Sequence, residues 1–196
     1  SNYNNSCFKH EDTGEVADYG YYFMGSIIRT GDDSTREIID GQQRLTSLTL
    51  LLIYINKLLH DNDNHTLDHM LPNMICSSPY GGKKTYNINV DERKACMDNL
   101  FAGNLNFEPE NESSKNLLER YRDITELFRD EITIDILPYF GFWVMQKVLL
   151  LEIVTPSKQD AHTIFITMND RGLSLNSAEM LKAYILNEIN DAKDKA

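Results

Sequence analysis

The residues best suited to chemistry lie in Ile38-Ile39-Asp40-Gly41-Gln42-Gln43-Arg44-Leu45-Thr46, which sets a carboxylate, a glycine, two carboxamides, a guanidinium and a hydroxyl within a few positions. A strand-like run precedes this segment and helical spacing follows it, so it is expected to turn a strand into a helix N-terminus. Such corners bind anions. The first backbone N–H groups of the helix and the positive end of its dipole point outward, and a glycine lets a ligand approach the main chain. Arg44 can fork onto phosphate oxygens, and Asp40 can hold a divalent ion or polarise a water beside that phosphate. Gln42 and Gln43 can orient the ligand or the attacking water. The competing reading is an ordinary helix start, with Asp40 as N-cap, a polar first turn and Arg44 lying along the surface.

A second polar constellation falls in Phe165–Lys182. One helix ends there, Gly172 permits a left-handed turn, Leu175 staples the next helix, and Glu179 stands in its first turn. Asn169, Arg171 and Lys182 are spaced to approach a common anionic ligand, although a joint between two helices needs most of these residue types in any case.

Other groups carry weaker signals. His65 and His69 have metal-compatible i, i+4 spacing if residues 65–69 are helical, with His60 nearby and Asp61, Asp63 or Asp68 as third ligand; the plainer reading is a solvated loop. Cys7 and His10 fall in a polar lead-in. Asp91-Glu92-Arg93-Lys94 has the residue types of a nuclease carboxylate–lysine set, which charged helix surfaces also produce by chance. Tyr139, Phe140, Phe142 and Trp143 read as core rather than as a base-stacking platform, because few basic residues are interleaved with them. The Walker GxxxxGK[ST], GxSxG, HExxH and zinc-finger spacings do not occur.

The elements that position these residues follow from periodicity. Tyr22–Ile28 and Arg36–Ile39 read as strands of a hairpin around the turn Gly31-Asp32-Asp33-Ser34. Arg44–His60 carries apolar residues at 45, 48, 51, 52, 55, 58 and 59, which is helical spacing. Residues 61–83 read as a loop with one helical turn near Leu67–Leu71. Thr85–Val90 alternates as a strand does, and Asp91–Leu100 and Lys115–Glu131 read as helices. Pro138 opens an aromatic segment, Tyr139–Gln146, and Lys147–Thr155 is a β-branched apolar run suited to a buried strand. A helix opens at Ser157, with Asp160 three residues on in a capping-box arrangement, and runs to Met168; another runs from Asn176 or Ser177 to Ile189. The expected fold is therefore α+β, a small mixed sheet of the Tyr22–Ile28, Arg36–Ile39, Thr85–Val90 and Lys147–Thr155 strands packed against several helices.

Composition bounds the function. At 196 residues with 41% hydrophobic and 25% charged, the chain can build a core, and no apolar run reaches the roughly 18 residues of a spanning helix. Three widely spaced cysteines signal neither a disulfide framework nor a zinc ribbon, which fits a reducing, cytoplasmic setting. The net charge of −11 argues against a surface that neutralises many phosphates, so contact with DNA should be local or belong to a partner. Residues 1–20 read as a flexible lead-in, 21–190 as the folded domain and 191–196 as a tail. The Ser1-Asn2 start and charged end suggest a fragment of a longer protein.

Taken together, Tyr22-Phe23-Met24-Gly25-Ser26-Ile27-Ile28, the Asp40-Gly41-Gln42-Gln43-Arg44 box with Leu45-Thr46, and Phe165-x3-Asn169-Asp170-Arg171-Gly172-x2-Leu175 resemble, in order and spacing, the GmrSD-type N-terminal domain family, whose hallmark is the DGQQR box. The resemblance covers about residues 21–190. It implies a ParB/sulfiredoxin-like core with a helical extension. It also implies a nucleotide-binding, NTP-hydrolysing regulatory role in a modification-dependent, anti-phage restriction system, in which a C-terminal HNH-type nuclease domain or subunit attacks modified DNA. By position, Asp40, Gly41, Gln42, Gln43 and Arg44 form the nucleotide-handling box, and Thr46, Asn169 and Arg171 complete the expected binding set. The expected cofactor is Mg2+ with a nucleoside triphosphate. Family members begin with an IPxYQRxYxW segment that completes the site, and Ser1–Gly20 does not match it, so the site in this chain is expected to be incomplete. Two other functions fit the same residues: a DNA-binding or nuclease module that grips phosphate with the box, and a non-catalytic assembly scaffold.

Overall fold

The computed structural model describes residues 13–31, 36–77, 84–128 and 132–170. Its strands are β1 (Tyr22–Thr30), β2 (Glu37–Asp40), β3 (Cys76–Ser77), β4 (Thr85–Tyr86) and β5 (Val148–Thr155). Its helices are α1 (Gln42–Asp61), α2 (Leu71–Ile75), α3 (Lys94–Phe101), α4 (Glu112–Phe128), α5 (Leu137–Lys147) and α6 (Lys158–Asp170). The fold is mixed α+β, as the sequence leads one to expect. The chain forms two compact units: residues up to 20 with 43–147, which are mainly helical, and residues 21–42 with those from 148 on, which hold the larger sheet.

In the sheet unit the strand order is β2-β1-β5, with β1 antiparallel to β2 and parallel to β5. The register shift between Phe23 and Gly25 leaves Met24 as an extra residue of β1 opposite β5, and Gly25 takes a φ of 122° beside it; the shift at Ile28 and Arg29 leaves Ile39 as an extra residue of β2. Thr30 Oγ1 donates to the Thr155 carbonyl at 3.2 Å, while Thr155 Oγ1 donates to the Arg29 carbonyl at the same distance, which ties the strand ends together. Helix α6 packs on all three strands. Its start is capped by Ser157, whose Oγ accepts the Asp160 N–H at 3.1 Å and donates to Asp160 Oδ2 at 2.6 Å; the second bond of a capping box, to the Ser157 N–H, is replaced by this hydroxyl contact.

Strand β5 departs from the buried run expected over Lys147–Thr155. Lys147 closes α5, and β5 alternates between half-buried and exposed positions, with Leu149 and Val154 about half exposed. Among the described residues its hydrogen-bonded neighbour is β1 alone, which puts it at the edge of the sheet that these residues form.

In the helical unit, α1 is the centre. Leu50, Leu52, Ile53, Tyr54, Ile55 and Leu59 are all buried, so apolar contact surrounds its second half, a wider face than the expected stripe. Leu117, Leu118 and Tyr121 bring α4 to this core. The aromatic residues of α5 are structural: Phe140 stacks on Trp143 at 6.0 Å and meets Phe128 edge-on, and Trp143 Nε1 donates to the Gly20 carbonyl at 3.1 Å. Gly141 permits the close approach of α5, because a Cβ there would lie 2.8 Å from Leu67 Cδ1 and 3.2 Å from Ile55 Cγ2.

Three expectations are corrected here. Within the stretch read as flexible lead-in, Thr13–Asp18 is a 3-10 helix whose Val16 is buried and whose Ala17 carbonyl accepts a bond from Lys147 Nζ at 2.6 Å. Buried Val16 and the bond from Lys147 are contacts that hydrophobic periodicity does not signal. Thr85–Val90 contributes only Thr85–Tyr86 as strand, paired antiparallel with β3 in a separate two-stranded sheet rather than in the larger one. The alternation continues past Tyr86, but Asn87 is diverted: its side-chain amide donates to the carbonyls of Asn73 and Met74 at 3.2 and 2.7 Å. Finally, the helical turn expected near Leu67–Leu71 within the loop of residues 61–83 lies one turn later, as α2 at Leu71–Ile75, which opens with a proline in its first turn and buries Leu71 and Ile75.

Candidate functional site

The corner at Asp40–Arg44 is built as its residue types demand. Strand β2 runs through Asp40, which pairs with Ile28 of β1; Gly41 follows with a φ of 90°, and α1 begins at Gln42. A Cβ on Gly41 would lie 2.5 Å from Ile27 Cγ2 and 3.1 Å from Ile27 Cα, so the turn needs glycine both for its backbone conformation and for its contact with β1. Because Gly41 is the residue preceding the helix, Asp40 stands one position outside the N-cap. The first turn of α1 contains no acidic residue, which leaves the positive end of a 20-residue helix without a carboxylate of its own there.

The two glutamines differ. Gln42 donates its side-chain N–H to the Ile38 carbonyl at 2.8 Å, a bond that folds the first helical residue back onto β2 and holds the corner. Gln43 is exposed, and Arg44 and Asp40 are half-buried. The division between the two units falls between Gln42 and Gln43. Thr46 is half-buried and lines a small, mostly apolar cavity of the helical unit with Thr49, Val90 and Met97.

The backbone of Asn169 lies in the last turn of α6; its side chain, together with Arg171, Gly172, Lys182 and the helix expected over Asn176–Ile189, falls outside the described residues. Cys7 and His10 do so as well. Asp91 and Glu92 occupy an exposed 3-10 turn before α3, and Arg93 Nε donates to Ser113 Oγ at 2.6 Å, so this charged run acts structurally. Cys76 and Cys96 are buried free thiols; burial pushes both up from the usual thiol range, Cys96 to about 11, which makes them poor nucleophiles.

The histidines meet differently from the expected i, i+4 pair. Residues 65–69 form turns rather than a helix, so His65 and His69 do not align; His60, His65 and Asp68 come together instead. A carboxylate three residues from an imidazole, with a second imidazole at the end of a preceding helix, was the available signal.

No helix among the described residues is long and apolar enough to cross a membrane. Comparison with curated proteins and with solved structures gives no match. A family model does match: that described as GmrSD restriction endonuclease, N-terminal domain, over residues 6–186.

Proposed function

The chain belongs to the family of GmrSD restriction endonuclease N-terminal domains and so is part of a restriction endonuclease system; on that premise, we propose that it is the nucleotide-binding, NTP-hydrolysing regulatory domain of a modification-dependent system acting in the cytoplasm. The observation that carries this reading is the Asp40–Gly41–Gln42 corner, where a strand end, a glycine in the left-handed region and the N-terminus of a long helix coincide. The backbone N–H groups of the first helical turn cradle phosphate oxygens, Gly41 keeps the main chain clear, and Arg44 pairs with the triphosphate as a bidentate donor. Gln42 positions the corner through Ile38, and Gln43 orients the water that attacks the γ-phosphorus. As the new P–O bond forms, the bond from the γ-phosphorus to the bridging oxygen breaks, the nucleoside diphosphate leaves with that oxygen and its electron pair, and the proton of the attacking water passes to the released phosphate.

Mg2+ suits the donor set, since this ion is held by one or two carboxylates plus substrate phosphates, and Asp40 supplies a carboxylate beside the cradle. When bound it would neutralise phosphate charge. A ParB/sulfiredoxin-like core, a contribution from Asn169 and Arg171, and an HNH-type nuclease domain or subunit that cuts modified DNA belong to the same proposal.

The test is a thermal-shift titration with each of the four nucleoside triphosphates and Mg2+, run beside Arg44→Ala. A ligand bound only by the folded chain raises the melting temperature, by an amount set by RT ln(1 + [L]/Kd). One triphosphate should stabilise the wild type and leave Arg44→Ala unmoved. Equal shifts in both would remove Arg44 from the site, and no shift with any triphosphate would end the nucleotide reading.

A further inference from the structure

We propose that His60, His65 and Asp68 form a site for one transition-metal ion of the Zn2+ class, separate from the nucleotide corner and independent of that reading. Asp68 stands between two imidazoles: its Oδ1 lies 3.5 Å from His60 Nε2 and its Oδ2 2.8 Å from His65 Nδ1. The two rings meet edge to face with centroids 5.7 Å apart, and one donor atom from each of the three residues lies within 4.8 Å of the others. Ligand atoms about 2.0–2.2 Å from a tetrahedral ion are themselves roughly 3.3–3.5 Å apart, so the set needs little closure to coordinate.

The donor chemistry selects the ion. Two neutral imidazoles and a carboxylate suit Zn2+, Co2+, Ni2+ or Cu2+, whereas Mg2+ and Ca2+ prefer oxygen ligands throughout. Three protein ligands leave a fourth position for water, and the exposure of both histidines gives the ion a path in.

The frame is fixed by neighbours that are not ligands. Leu59 and Leu67, which flank the ligands, are each 2% exposed and anchor both ends of the loop in the helical unit. Asn64 N–H donates to the Leu59 carbonyl at 2.9 Å, Asp68 N–H donates to the His65 carbonyl at 3.3 Å, and Asp63 takes the left-handed turn at φ 52°. Asp61, the neighbour of His60 in the chain, is paired with Lys57 on its own helix. A bound ion therefore clamps the C-terminal end of α1 to the turn that leads into α2.

Isothermal titration of the full chain with Zn2+ alone at neutral pH tests the site. The ligands are surface residues, so His60→Ala, His65→Ala and Asp68→Asn should fold, which circular dichroism checks. Saturable binding of one ion per chain is expected, weakened by at least about tenfold in each of the three variants, unchanged in His69→Ala and not displaced by excess Mg2+. Imidazole nitrogen resonances should show His60 Nε2 and His65 Nδ1 as the metallated atoms. Absence of saturable Zn2+ binding, or binding that survives in the His60→Ala/His65→Ala double variant, would overturn the assignment.

Discussion

Gly41 meets two requirements at once, a φ of 90° and the absence of a Cβ that would lie 3.1 Å from the Ile27 main chain. Rotating the Ile27 side chain relieves the contact with its Cγ2 but not the one with its Cα, so Gly41→Ala should cost roughly 2–4 kcal/mol, read from the urea midpoint; a loss under about 1 kcal/mol would show that the corner tolerates a different path. Tyr121 offers a prediction of the opposite sign. It is fully buried, its hydroxyl has no hydrogen-bond partner among the described residues, and its ring meets Tyr54 edge-on. Burial, with smaller contributions from Tyr54 and Asp61, pushes its phenol up to about 12. Because that value exceeds the ordinary one of about 10, the stabilisation is complete below pH 10 and is lost as pH rises toward 12, where the unfolded chain gives up the proton first. Tyr121→Phe should therefore match or exceed wild-type stability at pH 7, by up to about 1 kcal/mol, and lessen the alkaline loss. Some loss persists through Tyr86, whose phenol is raised by burial and by its bond to Asp98. Urea unfolding at pH 7 and pH 11 separates the two effects.

Helix α6 shows how an element can be read before it is seen. Ser157 followed by Asp160 is a local signal, and the capping bonds form between those two residues. Ser157→Ala should therefore lower stability by about 1 kcal/mol in thermal or urea unfolding, and Ser157→Asn should restore most of it; an unchanged Ser157→Ala would mean that packing on the sheet alone sets the helix start. The strand–glycine–helix corner was legible for the same reason, since its residues are neighbours in the chain. Features set by distant partners were not. The apolar run of β5 does not reveal that, among the described residues, it pairs with β1 alone, and the alternation of Thr85–Val90 does not reveal that Asn87 turns to the carbonyls of Asn73 and Met74. At the histidines, helical spacing pointed to His65 and His69, whereas a turn brought His65 to His60 across Asp68. The breadth of the α1 core face was hidden likewise, because Leu50, Ile53 and Tyr54 fall off the stripe and are buried by neighbours on other sides.

For the molecule as a whole the deciding quantity is charge. With 19 basic and 30 acidic residues and a net charge of −11, the chain repels a polyanion at distances where single contacts do not yet act. Non-specific affinity for duplex DNA grows with the number of phosphates neutralised and falls steeply with salt. A single corner engages one ligand of a few phosphates, which a triphosphate satisfies and a duplex exceeds. The chain alone should therefore leave duplex DNA unshifted in a mobility assay at about 100 mM salt, under conditions where the triphosphate still raises its melting temperature. Under the proposed function, engagement of modified DNA would then rest with a partner. Retardation of DNA that weakens steeply with salt and disappears in Arg44→Ala would reverse the assignment, making the same corner a grip on a DNA phosphate.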